Sequence, residues 1–254
     1  MLSCIFLINI FIAIISFVNG EISNPCQSLS EKQDLDECYM NLALDLGLQR
    51  NPRAPFGTII VNHVENKISC VGVNENDKDI LLHGETVAFK KYYTCYVRNL
   101  NILSFFFLIY SCTEMYPSPT NDDLKNPGLR WNDQTLYTTG EPCPMCAAQI
   151  MYRKVKRVVW ATSTKDISKS GRMAQFTIDI HHIFNSMKVL NSTSIDPPVV
   201  EGGVLKEKCD HAFWCAFKEY RDEAYMKFME NTDNLDYVLE LNGKFPCVTI
   251  PWHV

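Results

Sequence analysis

The chain has 254 residues, of which 46% are hydrophobic and 21% are charged. This length and composition suit one sizeable globular domain, and they exclude a collagen, a coiled coil and a wholly disordered chain. With 24 Lys and Arg against 29 Asp and Glu, the net charge of −5 disfavours general binding to nucleic-acid phosphates. Eleven cysteines indicate an oxidising compartment.

The first twenty residues form a candidate secretory signal. They carry no charged side chain, and the apolar run from Ile5 to Val18 is shorter than the about 20 residues that span a bilayer. We therefore expect a signal peptide over residues 1–20, a secreted or lumenal protein, and no membrane association of the mature form. A buried N-terminal strand or a short anchor is the alternative, since no basic side chain precedes the apolar run.

The rest of the chain alternates predicted helices and strands. Apolar residues at helical spacing predict the helices, and short β-branched runs predict the strands. In chain order these are helix Asp34–Leu48, strands Phe56–Val64 and Ile68–Val73, helix Asp79–Tyr93, strand Thr135–Thr139, a helix over 143–154, strand Arg157–Thr162, helix Phe176–Met187, strand Val199–Leu205 and helix Cys215–Met229. Asp34 with Glu37 has capping-box spacing, and Pro142 fits the first turn of a helix. Alternating units of this kind predict an α/β sheet with helices on both faces.

One segment fits this pattern badly. Asn101–Tyr110 is almost entirely apolar, too short to span a membrane and too apolar for a surface loop. It lies in an atypical insert near residues 97–120. An extra buried helix or strand is one interpretation, and an unspliced intron encoding residues 97–111 is the other.

Two short motifs combine residue types that bind zinc. His83-Gly84-Glu85 opens one predicted helix, and Pro142-Cys143-Pro144-Met145-Cys146 joins a predicted strand to another. One imidazole and two thiolates make a three-ligand zinc set with an open fourth position, which is typical of a catalytic metal. Glu85 lies two residues from His83, so it can reach a water on the metal without being a ligand. Taken alone, Cys143-x-x-Cys146 in a secreted protein is more typical of a disulfide or redox site.

With these motifs the chain resembles the cytidine/deoxycytidylate deaminase superfamily. Within it, the similarity is to the branch of guanine deaminases, tRNA adenosine deaminases and yeast-type cytosine deaminases. The resemblance runs from about Asp34 to about Glu230 and includes further stretches: Pro55-Phe56-Gly57, Asn74, Leu136-Tyr137-Thr138-Thr139-Gly140-Glu141 and Gly202-Gly203-Val204-Leu205. It implies a three-layer α/β/α sandwich with a five-stranded mixed sheet. The expected order is a signal peptide at 1–20, an N-terminal segment at 21–33, a deaminase domain at 34–230 and an extension at 231–254.

The resemblance also implies the roles of the site residues. His83, Cys143 and Cys146 are expected to bind one Zn²⁺ per chain, and Glu85 to shuttle protons in a hydrolytic deamination that releases ammonia. We expect Asn74, Phe56, Gly84 and Pro142 to contact the substrate, although Asn74 also suits a turn. The partner is expected to be a small nucleobase or nucleoside, because the acidic charge disfavours a polynucleotide. A homodimer is possible, since related folds often pair.

Other features leave alternatives open. Outside the zinc motif and the signal, eight cysteines remain, and we expect several to form disulfides: Cys26, Cys38, Cys70, Cys95, Cys112, Cys209, Cys215 and Cys247. Buried free thiols are the alternative. The sequon at Asn191 fits a glycosylated loop of a secreted protein. Besides an enzyme, the chain fits a catalytically silent binding or effector protein on the same fold, or a redox protein that uses the Cys143-x-x-Cys146 dithiol.

Overall fold

The computed structural model describes residues 24–90, 131, 133–171, 176–189, 196–221 and 247. Its helices are α1 (Lys32–Arg50), α2 (Gly84–Lys90), α3 (Pro144–Arg153), α4 (Thr164–Lys169), α5 (Ile180–Val189) and α6 (Lys206–Ala216), followed by a 3₁₀ turn at Lys218–Tyr220. Its strands are β1 (Gly57–Asn62), β2 (Lys67–Val73), β3 (Gln134–Gly140), β4 (Arg157–Thr162) and β5 (Val199–Gly202). The predicted signal at 1–20, the insert at 97–120 and the sequon at Asn191 lie outside the described residues.

The five strands form one mixed sheet in the order β2-β1-β3-β4-β5. The strand β1 is antiparallel to both β2 and β3, whereas β3, β4 and β5 run parallel to one another. Because successive side chains of a strand point to opposite faces, each strand supplies two hydrophobic cores. One core packs α2, α3 and α5 against Ile60, Leu136 and Val158, and the other packs α1 and α6 against the opposite face. The expected three-layer α/β/α sandwich with a five-stranded mixed sheet is confirmed.

Several predicted helix ends are wrong. The helix α1 begins at Lys32, and Glu31 precedes it without a side-chain cap, so Asp34 lies in the first turn and forms no capping box. The helix α2 begins at Gly84 because Asp79 accepts a hydrogen bond from the Leu81 backbone N–H, an arrangement that favours a turn over a helix.

The predictions around the later helices also need correction. Pro144, not Pro142, occupies the first helical turn of α3, with Cys143 as its N-cap. The closing helix starts at Lys206 and ends at Ala216. Of the predicted helix Cys215–Met229, only Cys215 and Ala216 lie in it, and a 3₁₀ turn at Lys218–Tyr220 follows. The helix Thr164–Lys169 is not predictable from apolar periodicity, because its sequence is polar and shows no apolar period. Left-handed backbone at Gly203 and Leu205 ends β5 earlier than predicted.

Two described disulfides connect cysteines that the sequence left unassigned. Cys26 is bonded to Cys38, and Cys215 is bonded to Cys247. These bonds agree with the expectation that several cysteines pair. Cys209 is instead a free thiol, fully buried in the core between α6 and the sheet. Among the described residues, no helix is long and apolar enough to cross a membrane.

Candidate metal centre and active site

The sheet topology brings the two sequence motifs to one edge of the sheet. Both β2 and β3 are antiparallel to β1, so they run in the same direction and end on the same side. Asn74 directly follows β2, and the loop that leads to Cys143 directly follows β3. Phe56 immediately precedes β1 and therefore lies at the same edge. A cleft at this edge is the expected place for a site in an α/β fold.

Glycine allows α2 to pack unusually close to the strands. A Cβ atom at Gly72 of β2 would collide with the backbone of Gly84 and Ala88 in α2. A Cβ at Gly84 would lie 2.8 Å from the Phe56 carbonyl oxygen. This close approach of helix and sheet places His83, at the start of α2, beside the start of α3.

Three ligand atoms meet at this point. The His83 Nδ1 atom lies 3.5 Å from the Cys143 Sγ and 3.7 Å from the Cys146 Sγ, and all three atoms lie within 4.8 Å of one another. The two cysteines are three residues apart at the start of α3, so one helical face presents both sulfurs. Both are buried free thiols. One imidazole nitrogen and two sulfurs form a donor set that fits zinc, and these residues could hold the metal.

Hydrogen bonding and burial shift the pKa values of the two cysteines in opposite directions. A hydrogen bond from the Cys146 thiol lowers the pKa of Cys143 to about 4, and His83 contributes in the same direction. The same hydrogen bond, together with burial, raises the pKa of Cys146. The pair therefore holds one thiolate readily, and thiolate is the form that binds metals.

Glu85 lies beside the cluster at the second position of α2. Its carboxyl group is buried, and this burial raises its pKa. The negative charge of the Cys143 sulfur raises the pKa of Glu85 further. A raised pKa makes a carboxyl group a better proton carrier at neutral pH. The role of Glu85 as a proton shuttle stays a prediction, and the raised pKa agrees with it in direction.

The cluster opens into a cleft of about 340 Å³, a volume that includes its solvent-open space. Its lining contains five of the eight residues predicted for the site: Phe56, Asn74, His83, Glu85 and Cys143. Cys146 is fully buried behind them. Gly84 and Pro142 are not among the lining residues, and Gly84 packs against β1 instead. Substrate contacts by these two residues stay predictions.

Two residues that line the cleft were not predicted from the sequence. Asn76 accepts a hydrogen bond from the Asn74 Nδ2 atom at 3.1 Å. Glu141 accepts hydrogen bonds from the backbone N–H groups of Thr164 at 3.0 Å and Ile180 at 2.9 Å. The only sequence signal for Glu141 was its place before the cysteine motif. The only sequence signal for Asn76 was its position two residues after Asn74.

Comparisons with known proteins show the family to which the chain is related. The family model for the cytidine and deoxycytidylate deaminase zinc-binding region matches residues 33–162, about half of the chain. A probable cytosine deaminase of Schizosaccharomyces pombe is 24% identical over 198 residues, which cover 74% of this chain and 97% of that protein. A tRNA-specific adenosine deaminase of Haemophilus influenzae is 32% identical over 91 residues, 36% of this chain and 46% of that protein.

A solved structure of a guanine deaminase from Nitrosomonas europaea has 17% identity and a TM-score of 0.47, over 76% of this chain and 85% of that one. The stretch matched by the family model contains His83, Glu85, Cys143 and Cys146. The chain therefore belongs to the family of cytidine and deoxycytidylate deaminases with a zinc-binding region.

Proposed function

We propose that this protein is a zinc-dependent hydrolase that removes the amino group from an amino-purine or amino-pyrimidine base or nucleoside and releases ammonia. The observation that carries the proposal is the placement of Glu85 beside the cluster of His83, Cys143 and Cys146 at the bottom of an open cleft. The three side chains are the proposed ligands of one Zn²⁺. When bound there, zinc supplies Lewis acidity.

Glu85 moves the protons of the proposed reaction. Water adds to the ring carbon that carries the amino group, and Glu85 accepts the proton that the water loses. The carboxyl group then gives that proton to the adjacent ring nitrogen. In the second transfer it takes the proton of the newly added hydroxyl group and gives it to the departing amine. One water is consumed, one ammonia leaves, and the C–NH₂ group becomes a carbonyl group. The raised pKa of Glu85 suits both directions of transfer.

The remaining side chains of the cleft orient the substrate. Asn74 is buried, and its Oδ1 atom accepts no hydrogen bond from any described residue. A buried acceptor without a partner is costly, so a donor group on the substrate would stabilise it. The half-buried Phe56 offers a ring at the mouth of the same cleft.

We further propose a small free base or nucleoside as the substrate, because the net charge of −5 disfavours a polynucleotide. The test is ammonia release from guanine, cytosine, adenosine and cytidine, beside a tRNA anticodon stem-loop and single-stranded DNA. The expected result is turnover of at least one base or nucleoside by the wild type, and turnover lowered by at least about 10²-fold in Glu85→Gln. Preferential turnover of the RNA or DNA would overturn the choice of substrate class.

The same assay, together with the zinc content of the purified protein, separates the two alternatives. A catalytically silent binding protein would release no ammonia from any substrate. A dithiol redox protein would bind no zinc and would leave His83 and Glu85 without a role. The two sulfurs of Cys143 and Cys146 face His83 as free thiols, which favours the metal site over the redox site.

We propose secretion of the mature protein after removal of residues 1–20. The disulfides Cys26–Cys38 and Cys215–Cys247 support this proposal, because such bonds persist in oxidising compartments. N-terminal sequencing of protein collected from the medium of the producing cells is the test. A mature chain that begins near residue 21 is expected, and retention of Met1 in the cells would contradict it.

A further inference from the structure

The polar atoms of Asn74 are held by three different parts of the chain. Its backbone N–H donates to the Phe56 carbonyl oxygen at 3.0 Å, and its carbonyl oxygen accepts from the Asn51 Nδ2 atom at 2.8 Å. Its side-chain Nδ2 atom donates to the Asn76 Oδ1 atom at 3.1 Å. The Asn74 Oδ1 atom has no partner among the described residues, although only 4% of the residue is exposed.

An asparagine amide has a donor end and an acceptor end, which exchange places when the group rotates by half a turn. The backbone bonds of Asn74 fix where the side chain starts, but they do not choose between the two orientations. The structure holds one of these orientations, in which the Asn76 Oδ1 atom lies at the Nδ2 end of Asn74 and accepts from it. With that end occupied, the acceptor oxygen is the end left for a ligand in the cleft, which both residues line.

We propose that Asn76 is a positioning residue that sets the polarity of the Asn74 amide, so that the cleft presents a hydrogen-bond acceptor to the substrate. This inference rests on the proposed function for its effect on catalysis. It specifies the substrate edge that faces Asn74, which must carry an N–H or O–H donor. An unsubstituted ring N–H of a free base and a sugar hydroxyl of a nucleoside both satisfy that requirement.

The kinetic test compares two substitutions of nearly equal size. Asn76→Leu removes the acceptor, and we expect KM for the best substrate of the panel to rise about 3- to 10-fold with little change in kcat. Asn76→Asp can only accept, so it keeps the Asn74 donor bond and should restore KM towards the wild-type value. Asp77→Leu, at an exposed position of the same loop, controls for an apolar change outside the cleft. A KM for Asn76→Asp as high as that of Asn76→Leu would overturn the proposal.

The free base and the nucleoside distinguish the two sources of the donor. If a ring N–H is the donor, methylation of that nitrogen in the free base should raise KM in the wild type but not further in Asn76→Leu. If a sugar hydroxyl is the donor, the corresponding deoxynucleoside should show the same pattern. If each modification raises KM equally in the wild type and in Asn76→Leu, then Asn76 does not orient the acceptor oxygen of Asn74, and the proposal is contradicted.

A measurement without substrate keeps this inference separate from the proposed function. In amide NMR spectra the side-chain NH₂ signal of Asn74, assigned by its loss in Asn74→Ala, should shift in Asn76→Leu and stay near its place in Asn76→Asp. An unchanged signal in Asn76→Leu would show that Asn76 does not hold the amide. If the wild type releases ammonia from no base, the proposed function fails, and this spectrum alone decides the role of Asn76.

Discussion

At the scale of single residues, the site separates metal binding from proton transfer. His83, Cys143 and Cys146 present their ligand atoms to one point, whereas Glu85 is buried beside that point with a raised pKa. Zinc favours imidazole and thiolate in a catalytic set of three ligands, which these residues already supply. Substitutions should therefore divide into two groups that differ in zinc content.

We expect Glu85→Gln to lower turnover strongly. Loss of general acid–base catalysis costs about 10²- to 10⁴-fold, and we expect a decrease at the upper end of that range or beyond it. Glutamine keeps the shape and hydrogen bonding of the side chain but cannot take up a proton, and zinc should stay bound. His83→Ala and Cys143→Ala should lose both zinc and turnover, because metal binding is coupled to folding. Zinc content is measured beside kcat for each purified variant.

Cys209→Ala is the matched control, since Cys209 is a buried free thiol remote from the cluster and should leave zinc content unchanged. Near-normal turnover of Glu85→Gln would refute the proposed proton shuttle. Loss of zinc from Glu85→Gln would instead identify Glu85 as a ligand.

At the scale of secondary-structure elements, Glu141 connects the cysteine loop to two helices. One carboxylate oxygen accepts from the Thr164 N–H at the start of α4, and the other accepts from the Ile180 N–H at the start of α5. Both bonds are buried, and Glu141 lies two residues before Cys143. The position of the metal ligand is thus coupled to elements that are distant from it in the sequence.

Glu141→Ala should lower the free energy of unfolding by about 2 kcal/mol or more, because two buried N–H groups lose their acceptor. Glu141→Gln keeps one carbonyl acceptor and should cost about half as much. Urea unfolding of the zinc-loaded variants measures both values. Equal stability of wild type and Glu141→Ala would show that the two hydrogen bonds contribute nothing net.

A second connection between elements joins α1, β3 and β4. Arg157 donates to both carboxylate oxygens of Asp36 at 2.8 and 2.6 Å, and the Tyr137 hydroxyl donates to the same carboxylate. Burial alone would raise the pKa of Asp36, but these hydrogen bonds and the Arg157 charge outweigh it and hold the pKa below its usual range. Arg157 also forms an ion pair with Glu201 of β5, the last strand of the sheet.

This network predicts a specific pH dependence. Because the pKa of Asp36 is lower in the folded state than the about 3.9 of the unfolded chain, its stabilisation is present above pH 4 and is lost as the pH falls through the folded value. The difference in unfolding free energy between wild type and Asp36→Asn should therefore shrink below about pH 4. Asp45→Asn, at an exposed position of α1, is the matched control for the loss of a carboxylate from the same helix.

Denaturant unfolding at a series of pH values between neutrality and pH 3 measures this difference. A difference that is constant across the series would contradict a depressed pKa for Asp36. A difference that grows on acidification would require the opposite sign of shift.

At the scale of the whole molecule, one sheet and its two helical layers assemble the site. His83 and Cys143 are brought within hydrogen-bond distance from opposite sides of a long intervening stretch, because β2 and β3 end on the same edge. That stretch contains the apolar segment at residues 97–111, which lies outside the described residues. If this segment comes from an unspliced intron, neither the sheet nor the metal cluster depends on it.

Deletion of residues 97–111 should then leave a soluble protein that unfolds at a Tm no lower than that of the full chain and binds the same amount of zinc. The flanking elements do not need so long a connection. Soluble yield, thermal unfolding and zinc content of the deletion variant are the measurements. Loss of soluble expression would show that the segment is part of the folded core.

The sequence by itself determined the order of the main elements and the metal motif. Apolar periodicity reports which side of an element is buried, so Phe56–Val64 and Arg157–Thr162 were recognisable as strands from neighbouring residues alone. His83, Glu85, Cys143 and Cys146 were recognisable because zinc chemistry restricts the residue types and their local spacing. These signals are local, and the chain carries them before it folds.

Only the tertiary structure decided the ends of the elements and the supporting residues of the cleft. The start of α2 depends on a turn at Asp79, and its closeness to the sheet depends on glycine at both Gly72 and Gly84. Glu141 acquires its role from hydrogen bonds to backbone groups that no short sequence window identifies as its partners. Asn76 lies only two residues from Asn74, but their hydrogen bond depends on how the folded loop turns both amides. Such bonds are directional and form only when the packing of the sheet and helices has fixed the distances, so residue type and spacing alone cannot predict them.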